Sequence, residues 1–353
     1  MEDLLTIALL DDLTDFEDII LLVLGKKREV AVLRSIQFPR INLDSFSNEE
    51  CLQHFRFEKH DLHQLANLLN IPATLKLADR SLSGLEGLCI FLRRLAYPNR
   101  LTDLERIFGL SAPYISMVCK HVMHIIHEKA VFLLTNLRNV RWLTRAKLRF
   151  YSNAVGSHNV PIENCWGFID GTARPICRPS VNQEEYFSGH KRVHCVKYQS
   201  TVCPDGMIIS LKGPFPGKMH DAGILRRSNF YSELKECVTF PDGEKFVLYG
   251  DSAYPIRELL LKPFTGNNLT PQQIHFNSAM STVRQAVEWG FGKVIREFAF
   301  LDFKKNQKIN LQELEKMYFT AVLMTNCHTC LYGSQTGHYF NISPPTLREY
   351  LSQ

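Results

Sequence analysis

The chain has 353 residues, of which 45% are hydrophobic and 22% charged, with a net charge of +5. That length supports a large core and two domains, and the balance is that of a soluble globular protein. No segment reads as a transmembrane span and no signal peptide is expected: the apolar run near residues 19–25 is short and follows a row of acids, where a signal peptide carries basic residues.

In chain order, residues 1–20 hold seven acids and no Lys or Arg, and residues 1–25 alternate acids and leucines at helical spacing. Residues 26–54 read as mixed and loop-like. The stretch EKHDLHQLANLLNIP (58–72) predicts an amphipathic helix stopped by Pro72. Residues 74–82 read as a polar connector, and 84–98 as a helix ending at Pro98.

In 101–126, Leu101, Leu104, Ile107 and Phe108 mark one helix, and Gly109 and Leu110 form a short turn. Ser111 caps a second helix with Pro113 in its first turn and an apolar stripe of Ile115, Val118, Val122 and Ile125. This is a helix-turn-helix arrangement, which many helical bundles share. On the DNA-binding reading Tyr114, Ser116, Met117, Lys120 and His121 face outward. The basic run 138–149, with Arg141, Arg145 and Lys147, then holds phosphates. Residues 91–150 carry eleven Lys/Arg against three acids, which points to a polyanion; a solvated helical surface is the plainer reading.

The pattern changes near residue 155. CWGFID (165–170), HCVKYQSTVC (194–203), GMIISLKG (206–213) and KFVLYGD (245–251) are short β-rich runs, with a turn signal at Pro204-Asp205-Gly206. Helical patterns dominate from about 281 to 331. The expected organisation is a helical region over 1–82, a helix-turn-helix-like DNA-binding region over 83–150, a mixed α/β domain over 155–332 and a C-terminal tail over 333–353. Ten scattered cysteines fit a reducing, intracellular compartment. CHTC (327–330) reads as thiols packed on a helix, since a zinc site needs a second ligand pair.

Two of the predicted strands end on an acid, Asp170 before Gly171 and Asp251 before Ser252, where α/β sheets bind ligands. Glu288 follows on a helix beside the inward stripe Val283, Val287 and Phe291, with Arg284 one turn before it on the same face. The three acids stand 81 and 37 positions apart. His220 and Asp221 in KMHDAG form a second candidate pair: His220 to relay a proton or touch a phosphate, Asp221 as an extra ligand. The plainer alternative is a polar turn with Asp221 as a helix cap. His190, Lys191 and Arg192 cluster at a strand start and suit phosphate binding.

These residues fall in ordered blocks: GFIDGTARPICRP, the run from Tyr186 through Ser200, GPFPGKMHDAGIL, LYGDSAYP, FNSAMSTVRQAVEWGFG and FLDFKKNQKI. In them the chain resembles PIF/Harbinger-type transposases and their domesticated nuclease relatives within the DDE superfamily, densely over 155–332 and more loosely before. The resemblance implies an RNase H-like fold, with Asp170, Asp251 and Glu288 as a metal-binding triad. It also implies nuclear double-stranded DNA as substrate and a separate Myb-like DNA-binding partner protein. A homo-oligomer is expected. The Tyr…Arg…Glu…Lys helix signature of such enzymes is met only in part, because Ser281 and Ile295 stand at its Tyr and Lys positions.

Carboxylates are hard oxygen ligands suited to Mg²⁺ or Mn²⁺. Two ions about 3.5–4 Å apart activate a water and stabilise the leaving oxygen of a phosphodiester. Asp170 is placed to bridge both, with Asp251 and Glu288 each completing one shell. The expected function is a divalent-metal-dependent DNA endonuclease or transposase. The alternative is a domesticated, non-catalytic DNA-binding or scaffold protein that retains the fold.

Overall fold

The computed structural model describes residues 38–309 and 311–352, so the helix expected over 1–25 lies outside the described residues. The described part begins with a layer of helices. Helix α1 (Asn48–Phe55) opens on a reciprocal cap: the Glu50 N–H donates to Ser47 Oγ, and the Ser47 N–H donates to the Glu50 carboxylate at 2.7 Å. Part of the stretch read as loop is therefore helical. Helix α2 (Lys59–Leu68) stops before Pro72, where Asn70 takes a left-handed φ of 53°. The polar connector is instead a hairpin of β1 (Thr74–Leu77) and β2 (Arg80–Ser83), which buries Leu75 and Leu82. One buried residue per strand is too little to register as alternation.

Helices α3 (Gly84–Ala96), α4 (Leu101–Phe108) and α5 (Ala112–Ala130) follow the expected order. Gly109 ends α4 at φ +65°, and a Cβ there would lie 2.6–2.7 Å from the carbonyl oxygens of Pro39 and Phe38. Ser111 makes no side-chain cap; the Ala112 N–H donates to Glu105 Oε1 instead. Two placements differ from the sequence reading. Ile126 rather than Ile125 completes the buried stripe, and Tyr114 is buried, with the Arg80 guanidinium over its ring.

After α6 (Arg145–Gly156) comes a mixed sheet. Its strands are β3 (Cys165–Pro175), β4 (Phe187–Ser188), β5 (Val193–Val202), β6 (Ile208–Pro216), β7 (Val247–Tyr249) and β8 (Leu260–Leu261). Strand β5 pairs antiparallel with β3 on one side and with β6 and the short β4 on the other; β3, β7 and β8 run parallel. The predicted turn joins β5 to β6, with Gly206 at φ +86° and the Met207 N–H donating to Asp205 Oδ1. Trp166, Phe168 and Ile169 of β3 are fully buried, which is why that run is continuously apolar.

Helices α7 (Asp221–Arg227) and α8 (Phe230–Val238) connect β6 to β7. Helix α9 (Pro271–Glu297) starts ten residues before the pattern suggested, at a Thr270–Gln273 reciprocal cap, and packs on β3 and β5. Helix α10 (Leu314–Tyr332) holds CHTC; Cys327 is buried and the Cys330 sulfur sits 3.9 Å from that of Met207.

The segment expected to be a tail forms α11 (Gln335–Phe340) and α12 (Leu347–Leu351), burying Phe340, Ile342, Leu347, Tyr350 and Leu351. Buried apolar residues from Cys51 to Leu351 make one continuous cluster. Within it, Lys212 of β6 donates to Glu233 Oε1 of α8 at 2.7 Å and to the Thr135 carbonyl, and Glu233 Oε2 accepts from the Leu137 N–H at 3.0 Å. Among the described residues no helix is long and apolar enough to cross a membrane.

Candidate active site

The parallel pairing of β3 with β7 ends at Phe168 opposite Tyr249. Asp170 and Asp251 each stand two residues beyond that pair, on strands that run about 4.8 Å apart. Strand β3 does not end on Asp170, as the sequence suggested. It continues to Pro175 on β5, with Asp170 opposite Ser200, and Gly171 makes no turn. The carboxylate emerges where β3 outruns its parallel neighbour, at the carboxyl end of the parallel pair, the end at which α/β sheets bind ligands.

Gly171 has a different use. A Cβ there would lie 2.5 Å from Asp221 Oδ1, so the bare backbone admits the Asp221 carboxylate against β3. Asp221 opens α7 and caps nothing. Of its two sequence readings, the geometry favours the one that places it with the other acids. Arg284 of α9 completes the group, donating to Asp170 Oδ2 at 3.1 Å and to Glu288 Oε1 at 3.0 Å; the Gly171 N–H donates to Asp170 Oδ1 at 2.7 Å. Glu288 departs from expectation: its side chain is 57% exposed rather than at a buried edge. It joins the cluster through Arg284.

Burial pushes the Asp170 carboxyl up to about 6; the Gly171 N–H and Arg284 oppose this, and Asp251 and Asp221 add to it. Asp221 is raised too, by burial first and then by Asp251. Sequence reasoning missed Tyr254, three residues after Asp251. It is fully buried, and its hydroxyl has no hydrogen-bond partner among the described residues. Burial raises its ionisation, and Asp221, Asp170 and Asp251 are all near enough to raise it further. Its place inside LYGDSAYP was the available signal. Among the described residues the tightest metal-like grouping is elsewhere: Glu58, His60 and Asp61 on the helical layer present ligand atoms within 4.8 Å of one another. Within the predicted triad, the Arg284 guanidinium bridges Asp170 and Glu288.

The predicted DNA contacts scatter. His220 is exposed beside Asp221. His190, Lys191 and Arg192 form the exposed tip between β4 and β5, about 23 Å along β5 from the residue opposite Asp170 at ~3.3 Å per residue. The basic run is largely neutralised. Arg138 pairs with Glu236, Arg145 with Asp242 and Glu244, and Arg149 with Glu244. Lys147 lies over the Phe150 and Tyr151 rings, while Arg141 is exposed and His121 half-buried. Lys120 pairs with Glu313 at 3.1 Å, and hydrogen bonds from Lys316, Lys120 and His124 pull that carboxyl down to about 2. The acids that meet Arg138, Arg145, Arg149 and Lys120 are 95 or more positions away from them, so local charge counting overstated the free positive surface. Arg145→Ala is accordingly expected to leave duplex affinity unchanged and to change stability little, since its ion pairs are solvent-screened, checked by titration and denaturant melts. A clear loss of affinity would restore Arg145 as a phosphate contact.

In comparison with known families, residues 169–326 match the family described as DDE superfamily endonuclease. The matched segment contains Asp170, Asp221, Asp251, Arg284 and Glu288. A curated relative, Protein ALP1-like from Arabidopsis thaliana, is 24% identical over 261 residues, which cover 68% of this chain and 61% of that protein. The chain thus spans less than two thirds of that relative's length. No solved structure matches the chain.

Proposed function

We propose that the chain is a divalent-metal-dependent DNA endonuclease of RNase H-like fold, with Asp170, Asp251 and Glu288 as ligands and Asp221 beside them. The observation that carries the reading is the common offset of Asp170 and Asp251 past the last parallel pair, with Asp221 admitted by Gly171. The donor set fits Mg²⁺ or Mn²⁺. It is all carboxylate oxygen, and its most buried member is held high enough in pKa to favour a compensating cation. Such ions supply an activated water and a stabilised leaving oxygen.

The chain's own residues set up that chemistry. Strand β3 fixes Asp170 more rigidly than a loop does. The Gly171 N–H orients one Asp170 oxygen, and Arg284 orients the other together with Glu288. Double-stranded DNA as substrate, a nuclear location and a Myb-like partner protein belong to the same proposal, supported by the motif resemblance.

The test is nicking of supercoiled plasmid in Mg²⁺ or Mn²⁺ by wild type and Asp170→Asn. Cleavage by wild type alone is expected. Equal cleavage by both moves the chemistry elsewhere, and tight duplex binding without cleavage by either supports the non-catalytic, domesticated reading. Arg284→Lys is expected to reduce cleavage at least tenfold with little change in melting temperature, since an ammonium keeps the charge but loses the fork that spans two carboxylates. Near-normal cleavage by Arg284→Ala would reduce it to an ordinary helix ion pair.

A further inference from the structure

Next to the acids, the segment that carries Asp221 bends around a cavity of about 340 Å³ lined by Lys218, Met219, His220, Gly223, Arg226 and Arg227. Among the described residues no carboxylate lines it, and Asp221 lies against Gly171 instead. Arg226 and Arg227 are exposed, and among the described residues neither has a hydrogen-bond or ion-pair partner. Among the described residues Lys218 meets only the half-exposed Glu185, at 3.5 Å, a contact that water and salt largely cancel. This differs from the 138–149 run, whose Arg138, Arg145 and Arg149 are all held by carboxylates. Here the cations are unspent and face a concave space.

We propose that this cavity binds a backbone phosphate of duplex DNA flanking the bond presented to the acid cluster. A cluster of four carboxylates repels a polyanion, so productive approach needs positive charge immediately beside it. The cavity supplies two guanidinium forks, which match phosphate oxygens, together with an ammonium and an imidazole. Asp221 belongs to the acid cluster and shares α7 with Arg226 and Arg227, so one short helix sets the spacing between phosphate and acids. The assignment of the phosphate as a flanking one rests on the cleavage reading; binding itself does not.

The experiment is fluorescence anisotropy of a labelled duplex across a salt series, with chelator present so that cleavage plays no part. Removing the two guanidinium groups that hold this phosphate, in Arg226→Gln/Arg227→Gln, is expected to make the slope of log affinity against log salt shallower by about 1. Arg226→Lys/Arg227→Lys keeps the charge and is expected to keep the slope, which separates lost contacts from lost folding. Lys76→Gln/Lys129→Gln removes the same charge from the helical layer and is expected to leave the slope unchanged. Equal slopes for wild type and the arginine-to-glutamine variant, or an equal loss in the lysine control, would overturn the site. Asp170→Asn, titrated in parallel, is expected to bind at least as tightly as wild type. Failure of the cleavage test therefore leaves the binding result readable on its own.

Discussion

Asp170→Asn is expected to abolish metal-dependent cleavage and yet raise the stability of the metal-free protein at neutral pH by about 1–3 kcal/mol. The folded carboxyl titrates near 6 against an ordinary 3.8. A raised folded pKa means that the native state holds the proton more tightly than the unfolded chain. Its stabilising contribution is complete below about pH 4 and is lost as the pH rises through about 6. At pH 7 the ionised carboxylate is a net cost, and asparagine removes it. Denaturant melts of both proteins at about pH 7 and about pH 4 check this, with the advantage of the variant shrinking at the lower pH. Divalent-ion affinity of the wild type should move the other way, weakening as the pH falls below 6, because protonation removes a ligand. A variant that is less stable at pH 7, or an advantage independent of pH, would show that the carboxylate is well accommodated without metal.

The largest loss of stability is expected from Glu233→Ala. It leaves the Lys212 ammonium, with a side chain only 10% exposed, facing the Thr135 carbonyl alone, and strips the Leu137 N–H of its acceptor. Breaking a buried pair from one side costs about 3–5 kcal/mol. The double variant Lys212→Met/Glu233→Leu should recover much of that, since neither charge then remains stranded. Melting curves of the three proteins decide it. A loss under about 1 kcal/mol in the single variant would mean that water reaches the lysine. The pair joins β6, α8 and the turn at 135–137, so its loss should loosen the sheet's β6 edge before the acid cluster.

What could be read from the residues was whatever a local pattern encodes. Continuous apolar runs marked β3 and β7, and each led into an aspartate two residues past the last parallel pair of these strands. The turn at Pro204-Asp205-Gly206 and the helices from Gly84 to Ala130 were visible for the same reason. Missing were features that depend on distant residues. Whether Asp221 capped a helix or joined the acids turned on the bare backbone at Gly171, fifty positions away. Whether Arg145 was free turned on Asp242 and Glu244. The extension of β3 past Asp170 depended on β5 continuing to offer partners after β7 had stopped. The last helices were hidden because Pro344 and Pro345 interrupt any periodicity between Phe340 and Tyr350.

That C-terminal packing has a consequence for how the protein is made. Asn326 of α10 donates to the Ile208 carbonyl and accepts from the Ile208 N–H, and its amide also donates to the Tyr350 hydroxyl. The first residue of β6 therefore finds its partners far down the chain. All strands of the sheet have been synthesised by Leu261, but Tyr350 follows roughly ninety residues later, about 5–20 s at ordinary rates of translation. For that interval the β6 side of a nascent sheet lacks its cover, which is the condition under which strand edges recruit one another. A premature stop anywhere after the acids, even one that spares each of them, should yield a chain that aggregates during synthesis rather than a smaller folded protein.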